Sequence, residues 1–269
     1  MQQYLNLLQN ILDEGDKTQD RTGTGTLSIF GTNMRFDLQK GLPLLTTKKV
    51  AFKPIVAELL WFLEGSTNNN RLNELGAKIW NPWATFDGEL GPVYGKQWVN
   101  WDDNKIINKK QLKAYDKMGY NLNSVLGDSK YLVTRQINQI QNIIEQLKRE
   151  PESRRHVVSA WNPADLPLTN IVTSTPDDDN CETFYVKKLS PQDNVNLGNA
   201  ALAFCHAMFQ FKAKEIPHLQ RVMLSYGKNM SLIELEEETQ ENIEILDYHN
   251  VPKYKLSCQI YQRKQHCAF

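Results

Sequence analysis

The stretch Ala201-Leu-Ala-Phe-Cys205-His206-Ala-Met-Phe-Gln-Phe211 leads a run of small residues up to one cysteine and then into an alternating apolar segment. Ala207, Phe209 and Phe211 alternate with Met208 and Gln210, the two-residue period of a half-buried strand, which puts Cys205 at a strand entrance. A thiol there can face a cleft. The thiolate is the nucleophilic form, so a reactive Cys205 needs cations or a helix terminus close by, and arginines are the candidates. The competing reading is an inert core thiol, because free cysteine is among the most buried residue types.

Upstream, Leu5, Leu8 and Leu12 mark an amphipathic helix over residues 4–14, with Gly15 placed to cap it. Asp20-Arg21-Thr-Gly-Thr-Gly25-Thr26 follows, and strands are expected at 27–30 and 34–38 around Gly31. The glycines match neither a dinucleotide fingerprint nor a P-loop. Arg21 heads a loop of open amides and hydroxyls and suits a phosphate, or it is a solvated arginine of a hairpin loop. Pro54 opens a helix through Leu63 that Gly65 ends; the helix is apolar almost all round and is expected to be buried. Its interior charge, Glu58, is either an acid-base group or a structural carboxylate.

Ile79-Trp80-Asn-Pro-Trp83 and Gly91-Pro-Val-Tyr94-Gly95 are loop-like segments rich in aromatic surface. They suit the face of a flat heterocycle, although a packed aromatic core is the commoner use of such residues, and Tyr94 in its glycine-flanked turn can aim a hydroxyl into a pocket. Residues 102–130 are polar and read as an exposed excursion. Ile137, Ile140, Ile144 and Leu147 mark another helix, stopped by Pro151. Arg154 and Arg155 enter a strand at 156–161 on opposite sides, so one is turned toward an anion or both are solvated. Further strands are expected at 207–213 and 255–263. The acidic runs around Asp177 and Glu236 read as solvated surface.

Composition limits the function classes. With 31 basic and 31 acidic residues among 269, the chain has no net charge; nucleic acid is not an expected partner, although a local basic pocket remains open. No apolar run reaches the roughly 18 residues needed to span a bilayer. Met1-Gln-Gln-Tyr-Leu is not a signal peptide, so a soluble cytoplasmic protein is expected. Cys181, Cys205, Cys258 and Cys267 form no Cys-x-x-Cys pair and no zinc-like spacing with the five histidines, so neither disulfides nor a metal are expected.

The ordered series DRTGTGT (20–26), TTKK (46–49), ELLWFLEGSTN (58–68), IWNPWA (79–84), LGPVYGKQW (90–98), PESRRHVVSAWNP (151–163), ALAFCHAMFQF (201–211) and LSCQIYQR (256–263) resembles the thymidylate synthase family. The resemblance implies a single α/β (α+β) domain over 1–269, with a mixed sheet packed with helices and one sheet face at a homodimer interface. It implies a methyltransferase that converts dUMP to dTMP with 5,10-methylenetetrahydrofolate as co-substrate, giving dihydrofolate, without a metal. Cys205 then matches the nucleophile, Glu58 the glutamate managing protons around the base and the folate, and Tyr94 the tyrosine associated with removing the carbon 5 proton. Arg21 and Arg263 match phosphate-binding arginines of the same subunit, and Arg154 and Arg155 a pair supplied by the opposite one. Lys48, Ile79, Trp80 and Trp83 match folate contacts.

The chain also departs from the family pattern. Phe204 stands where the family generally has proline, and the segments 102–130, 164–200 and 212–253 look inserted. After Tyr261-Gln-Arg263 the family continues through a Leu-Pro-Phe-Asn segment and a later His and Tyr, so the resemblance implies a C-terminally incomplete domain. Two further readings follow from these departures: a dUMP or dCMP hydroxymethylase, or an inactive truncated homologue acting as a dimerising or RNA-binding protein.

Overall fold

Apolar residues at three- and four-residue spacings set the helices, and nameable caps end them. The computed structural model describes residues 2–18, 25–127, 129–176, 182–225, 239–262 and 266–268. Helix α1 (Gln2–Glu14), strands β1 (Asp16–Thr18) and β2 (Thr26–Ser28), and helices α2 (Phe52–Leu63), α3 (Asn69–Glu74) and α4 (Tyr94–Val99) come first. Strand β3 (Trp101–Asn108), helix α5 (Leu112–Lys117), strands β4 (Asn121–Leu126) and β5 (Lys130–Ile137), helix α6 (Gln139–Arg149) and strand β6 (Val157–Ser159) follow. Next are β7 (Asn170–Pro176), β8 (Glu182–Lys188), α7 (Pro191–Asn196) and β9 (His206–Glu215). The last elements are α8 (His218–Leu224), α9 (Gln240–Tyr248), β10 (Tyr254–Gln262) and β11 (His266–Ala268). Helices combined with antiparallel ladders give the α+β class.

Two compact units share these elements. The first comprises Met1–Lys96, Trp161–Ala207 and Gln262–Phe269; the second comprises Gln97–Ala160 and Met208–Tyr261.

In the first unit, α1 buries Ile11 beside half-buried Tyr4, Leu7 and Leu8, while Leu5 and Leu12 stay exposed. The helix is where the leucine spacing put it, but the buried stripe is the neighbouring one, which satisfies the same three-and-four spacing. Gly15 ends the helix by donating its N–H to the Ile11 carbonyl at 3.0 Å. Strand β2 lies between β1 and β11. The strand expected at 34–38 does not form, because Asp37 accepts a hydrogen bond from the Gln39 amide and opens a 3-10 turn over Leu38–Lys40. Helix α2 starts at Phe52, which leaves Pro54 in the first turn, where its missing N–H costs nothing. The expectation that α2 is buried all round is overturned: Ala57, Trp61 and Phe62 are buried, whereas Phe52, Ile55, Val56, Leu59, Leu60 and Leu63 are exposed. One face alone meets packing partners among the described residues.

In the second unit, β6, β9 and β10 form one sheet in the order β10-β9-β6. Val157, Val158 and Ser159 pair antiparallel with Gln210, Phe209 and Met208. Val158 is fully buried and Trp98 meets Phe209 edge to face at 5.3 Å, so the alternation read at Ala207, Phe209 and Phe211 does mark the inner face. The arginines do not enter the strand: Arg154 and Arg155 occupy an exposed turn, and β6 begins at Val157. Residues 102–130, read as an exposed excursion, instead build most of the sheet β3-β5-β4, which packs Ile107, Tyr120 and Val133 under Leu112 and Tyr115. Asn104 and Asn108 on the outer face, and Lys109, Lys110, Lys113 and Lys117 in the connection to β4, give the segment a polar composition that hides this short core. Helices α8 and α9 close on Val222, Leu246 and Val251. Among the described residues no helix is long and apolar enough to cross a membrane.

Candidate active site

The site is assembled from separate stretches of the first unit. Glu58 and Phe62 lie four residues apart on α2 and therefore share one helix face. Trp80 is buried at 7% exposure and donates its indole N–H to Glu58 Oε1 at 2.6 Å. The half-buried carboxylate therefore has a partner, a charge-assisted hydrogen bond of the shorter and stronger kind. The Trp80 ring meets Trp61 at 5.9 Å, Phe62 at 6.3 Å and Trp83 at 5.7 Å. Asn69 fixes the turn that carries these tryptophans by donating to Asn81 Oδ1 at 2.9 Å.

Two glycines let backbones approach where a side chain would not fit. A Cβ on Gly95 would sit 2.3 Å from the Ser66 carbonyl oxygen, so the first turn of α4 rests directly on the chain that leaves α2. Gly91, at φ +68°, faces Asn199, whose carbonyl oxygen would be 2.1 Å from an added Cβ. Beside it the Ala201 amide donates to the Leu90 carbonyl at 2.9 Å. Ala200 and Ala201 are fully buried in this crossing, which explains the small-residue run ahead of the cysteine.

The crossing places Cys205 on Tyr94. The Tyr94 hydroxyl oxygen accepts from the Cys205 amide at 2.7 Å and from the His206 amide at 3.1 Å. The rings of Phe62, Phe204 and His206 meet the phenol ring at 4.7, 5.4 and 5.8 Å. Burial pushes the Tyr94 phenol above its ordinary pKa; the two amides oppose this, and negative charge on Cys205 and Glu58 adds to it. Cys205 itself is half-buried and in no disulfide.

Trp83, Trp80, Glu58, Phe62, Tyr94 and Cys205 thus form one continuous contact chain. It offers a thiol, a phenol and a paired carboxylate beside aromatic faces. Because the Cys205 and His206 amides are taken by Tyr94, they do not form the oxyanion hole that an acyl-transfer cysteine enzyme requires. Among the described residues no group of three or more His, Cys, Asp or Glu could hold a metal ion.

Lys48 is exposed in an irregular segment, and Ile79 is 45% exposed in the turn before the buried Trp80. Arg154 and Arg155 belong to the second unit, and Arg21 and Arg263 lie outside the described residues. The sequence reading passed over Phe62, which links Trp80 to Tyr94; its four-residue spacing from Glu58 was the available signal. It also passed over His206, for which adjacency to Cys205 was the cue.

A profile of the thymidylate synthase family matches residues 2–268. The chain belongs to the thymidylate synthase family. Among its relatives, the thymidylate synthase of Francisella philomiragia subsp. philomiragia is 46% identical over 211 residues, which cover 78% of this chain and 59% of that protein. That of Francisella tularensis subsp. holarctica is 45% identical over 211 residues, with the same shares. The chain therefore spans about three-fifths of the length of these curated relatives. Both bear the name thymidylate synthase, and neither favours the hydroxymethylase reading or the inactive-homologue reading.

Proposed function

We propose that this protein catalyses the reductive methylation of dUMP to dTMP, with 5,10-methylenetetrahydrofolate as co-substrate and dihydrofolate as product. The observation that carries this reading is the seating of the Cys205 and His206 amides on the Tyr94 hydroxyl oxygen, linked through Phe62 to Trp80, the indole of which holds Glu58.

Carbon 5 of uracil is a weak nucleophile until a thiolate adds at carbon 6, which is the role assigned to Cys205. The enolate formed by that addition attacks the one-carbon unit, and the reduced folate supplies both this unit and the hydride. Glu58, kept in place by Trp80, manages protons around the base and the folate, and Tyr94 serves removal of the carbon 5 proton. Trp80, Trp83, Ile79 and Lys48 are assigned to folate, and the exposure of Ile79 and Lys48 leaves both accessible to it. Arg21 and Arg263 are assigned to the nucleotide phosphate.

Arg154 and Arg155 are assigned to the site of a second copy, since both are exposed. The outer face of the β10-β9-β6 sheet supports such a homodimer. On it Val157 and Met208 are 38% and 43% exposed, next to Gln210 and Ser159 in the same register.

Incubation with 5-fluoro-dUMP and methylenetetrahydrofolate, followed by intact mass spectrometry and peptide mapping, tests the reading. An adduct on Cys205 supports it. A folded protein that forms no adduct refutes it.

A further inference from the structure

Phe204 has no part in the chemistry just described, yet its position ties it to the site. It is 1% exposed and sets its ring edge on to Tyr94 at 5.4 Å and 74°. Phe62 and His206 also meet the same phenol ring, at 4.7 and 5.8 Å. A tyrosine side chain has two soft torsions, and packing against three neighbouring rings restrains both. What they restrain is the oxygen 2.7 Å from the Cys205 amide and 3.1 Å from the His206 amide. Phe204 and Cys205 are adjacent, so the ring that braces Tyr94 hangs from the backbone that the Tyr94 hydroxyl grips. A proline here, as in the family pattern, would stiffen that backbone through its fixed φ and would place no ring against the phenol.

We propose that Phe204 is a positioning residue that acts through Tyr94. By bracing the phenol it keeps the hydroxyl oxygen on the Cys205 and His206 amides, and so sets the direction in which the Cys205 thiol points. Side-chain bracing replaces the backbone restraint that proline supplies. The consequence for turnover rests on the proposed reaction; the geometric part does not.

The test is a cycle of four full-length proteins: unchanged, Phe204→Leu, Tyr94→Phe, and the double variant. Leucine keeps a buried apolar side chain and removes the aromatic edge, and Tyr94→Phe keeps the ring and removes the oxygen. The first readout is the rate at which iodoacetamide alkylates Cys205, followed by peptide mapping, which needs no nucleotide. Each single change should shift this rate in the same direction by roughly two- to tenfold, the scale of one aromatic pair. The double variant should match Tyr94→Phe alone, because without the oxygen Phe204 has nothing to position. Single effects that multiply, or an unchanged rate in Phe204→Leu, overturn the proposal. Should Phe204→Leu fail to fold, Phe204→Met is read by the same criteria.

The second readout is turnover. Phe204→Leu should lower kcat roughly two- to tenfold with KM for dUMP within about twofold, since the base-binding contacts are untouched. A cycle that closes as expected in proteins that never turn over dUMP would end the proposed reaction and leave the positioning role standing. Turnover combined with an additive cycle would end the positioning role alone.

Discussion

Replacing Trp80 with phenylalanine isolates the contact that holds Glu58. The substitution removes the indole N–H, 2.6 Å from Glu58 Oε1, and keeps a ring where Trp61, Phe62 and Trp83 pack. A hydrogen bond to a charged group contributes about 1.5 to 3 kcal/mol, and the half-exposure of Glu58 sets the lower end, about 1.5 kcal/mol. The smaller ring leaves part of a cavity at a site only 7% exposed, costing about 1 kcal/mol more. Trp80→Phe should therefore cost about 2.5 kcal/mol, or about 0.8 M in urea midpoint at a slope near 3 kcal/mol per M. In a Glu58→Leu background the hydrogen bond is already gone and the same change should cost only about 1 kcal/mol. The measurement is urea unfolding followed by far-ultraviolet circular dichroism at pH 7 on all four proteins. A coupling below about 0.5 kcal/mol, the limit at which distant sites are additive, would refute the claim that the indole N–H holds the carboxylate.

Gly91→Ala should be strongly destabilising, by about 3 kcal/mol or more, because it combines a positive φ of +68° with a Cβ 2.1 Å from the Asn199 carbonyl oxygen; thermal unfolding and the alkylation rate of Cys205 should both change. His156 is fully buried and its ring nitrogens have no partner among the described residues, so His156→Leu should raise stability by about 1 kcal/mol in urea unfolding. Lys105, Tyr120 and Arg135 hold Asp103 down to about 2. Its folded value lies below the unfolded value of roughly 3.9, so its stabilising effect is present above that value and is lost as the pH falls through about 2. Acid titration of the second unit should show this loss between about pH 4 and 2, and Asp103→Asn should flatten the curve in that window.

The features legible in the sequence are those that one local period decides. Alternation at Ala207, Phe209 and Phe211 is enough to mark a strand with an inner face, and it placed Cys205 at the strand entrance. Helix α2 and its end at Gly65 followed from propensity and punctuation alone. The same rule misjudged how far α2 is buried, because an apolar surface records what a helix can bury and not which elements are there to cover it. The contact that makes the site, between Tyr94 and the Cys205 amide, joins positions 111 residues apart and leaves no periodic trace. Only its hinges show, as Gly91 and Gly95. In the sequence they read as ordinary turn residues; in the structure each is a place where two backbones touch and a single methyl group would part them. Their requirement for glycine therefore comes from the long-range contact itself. The geometry at the thiol is set as much by side chains that make room as by those that carry charge.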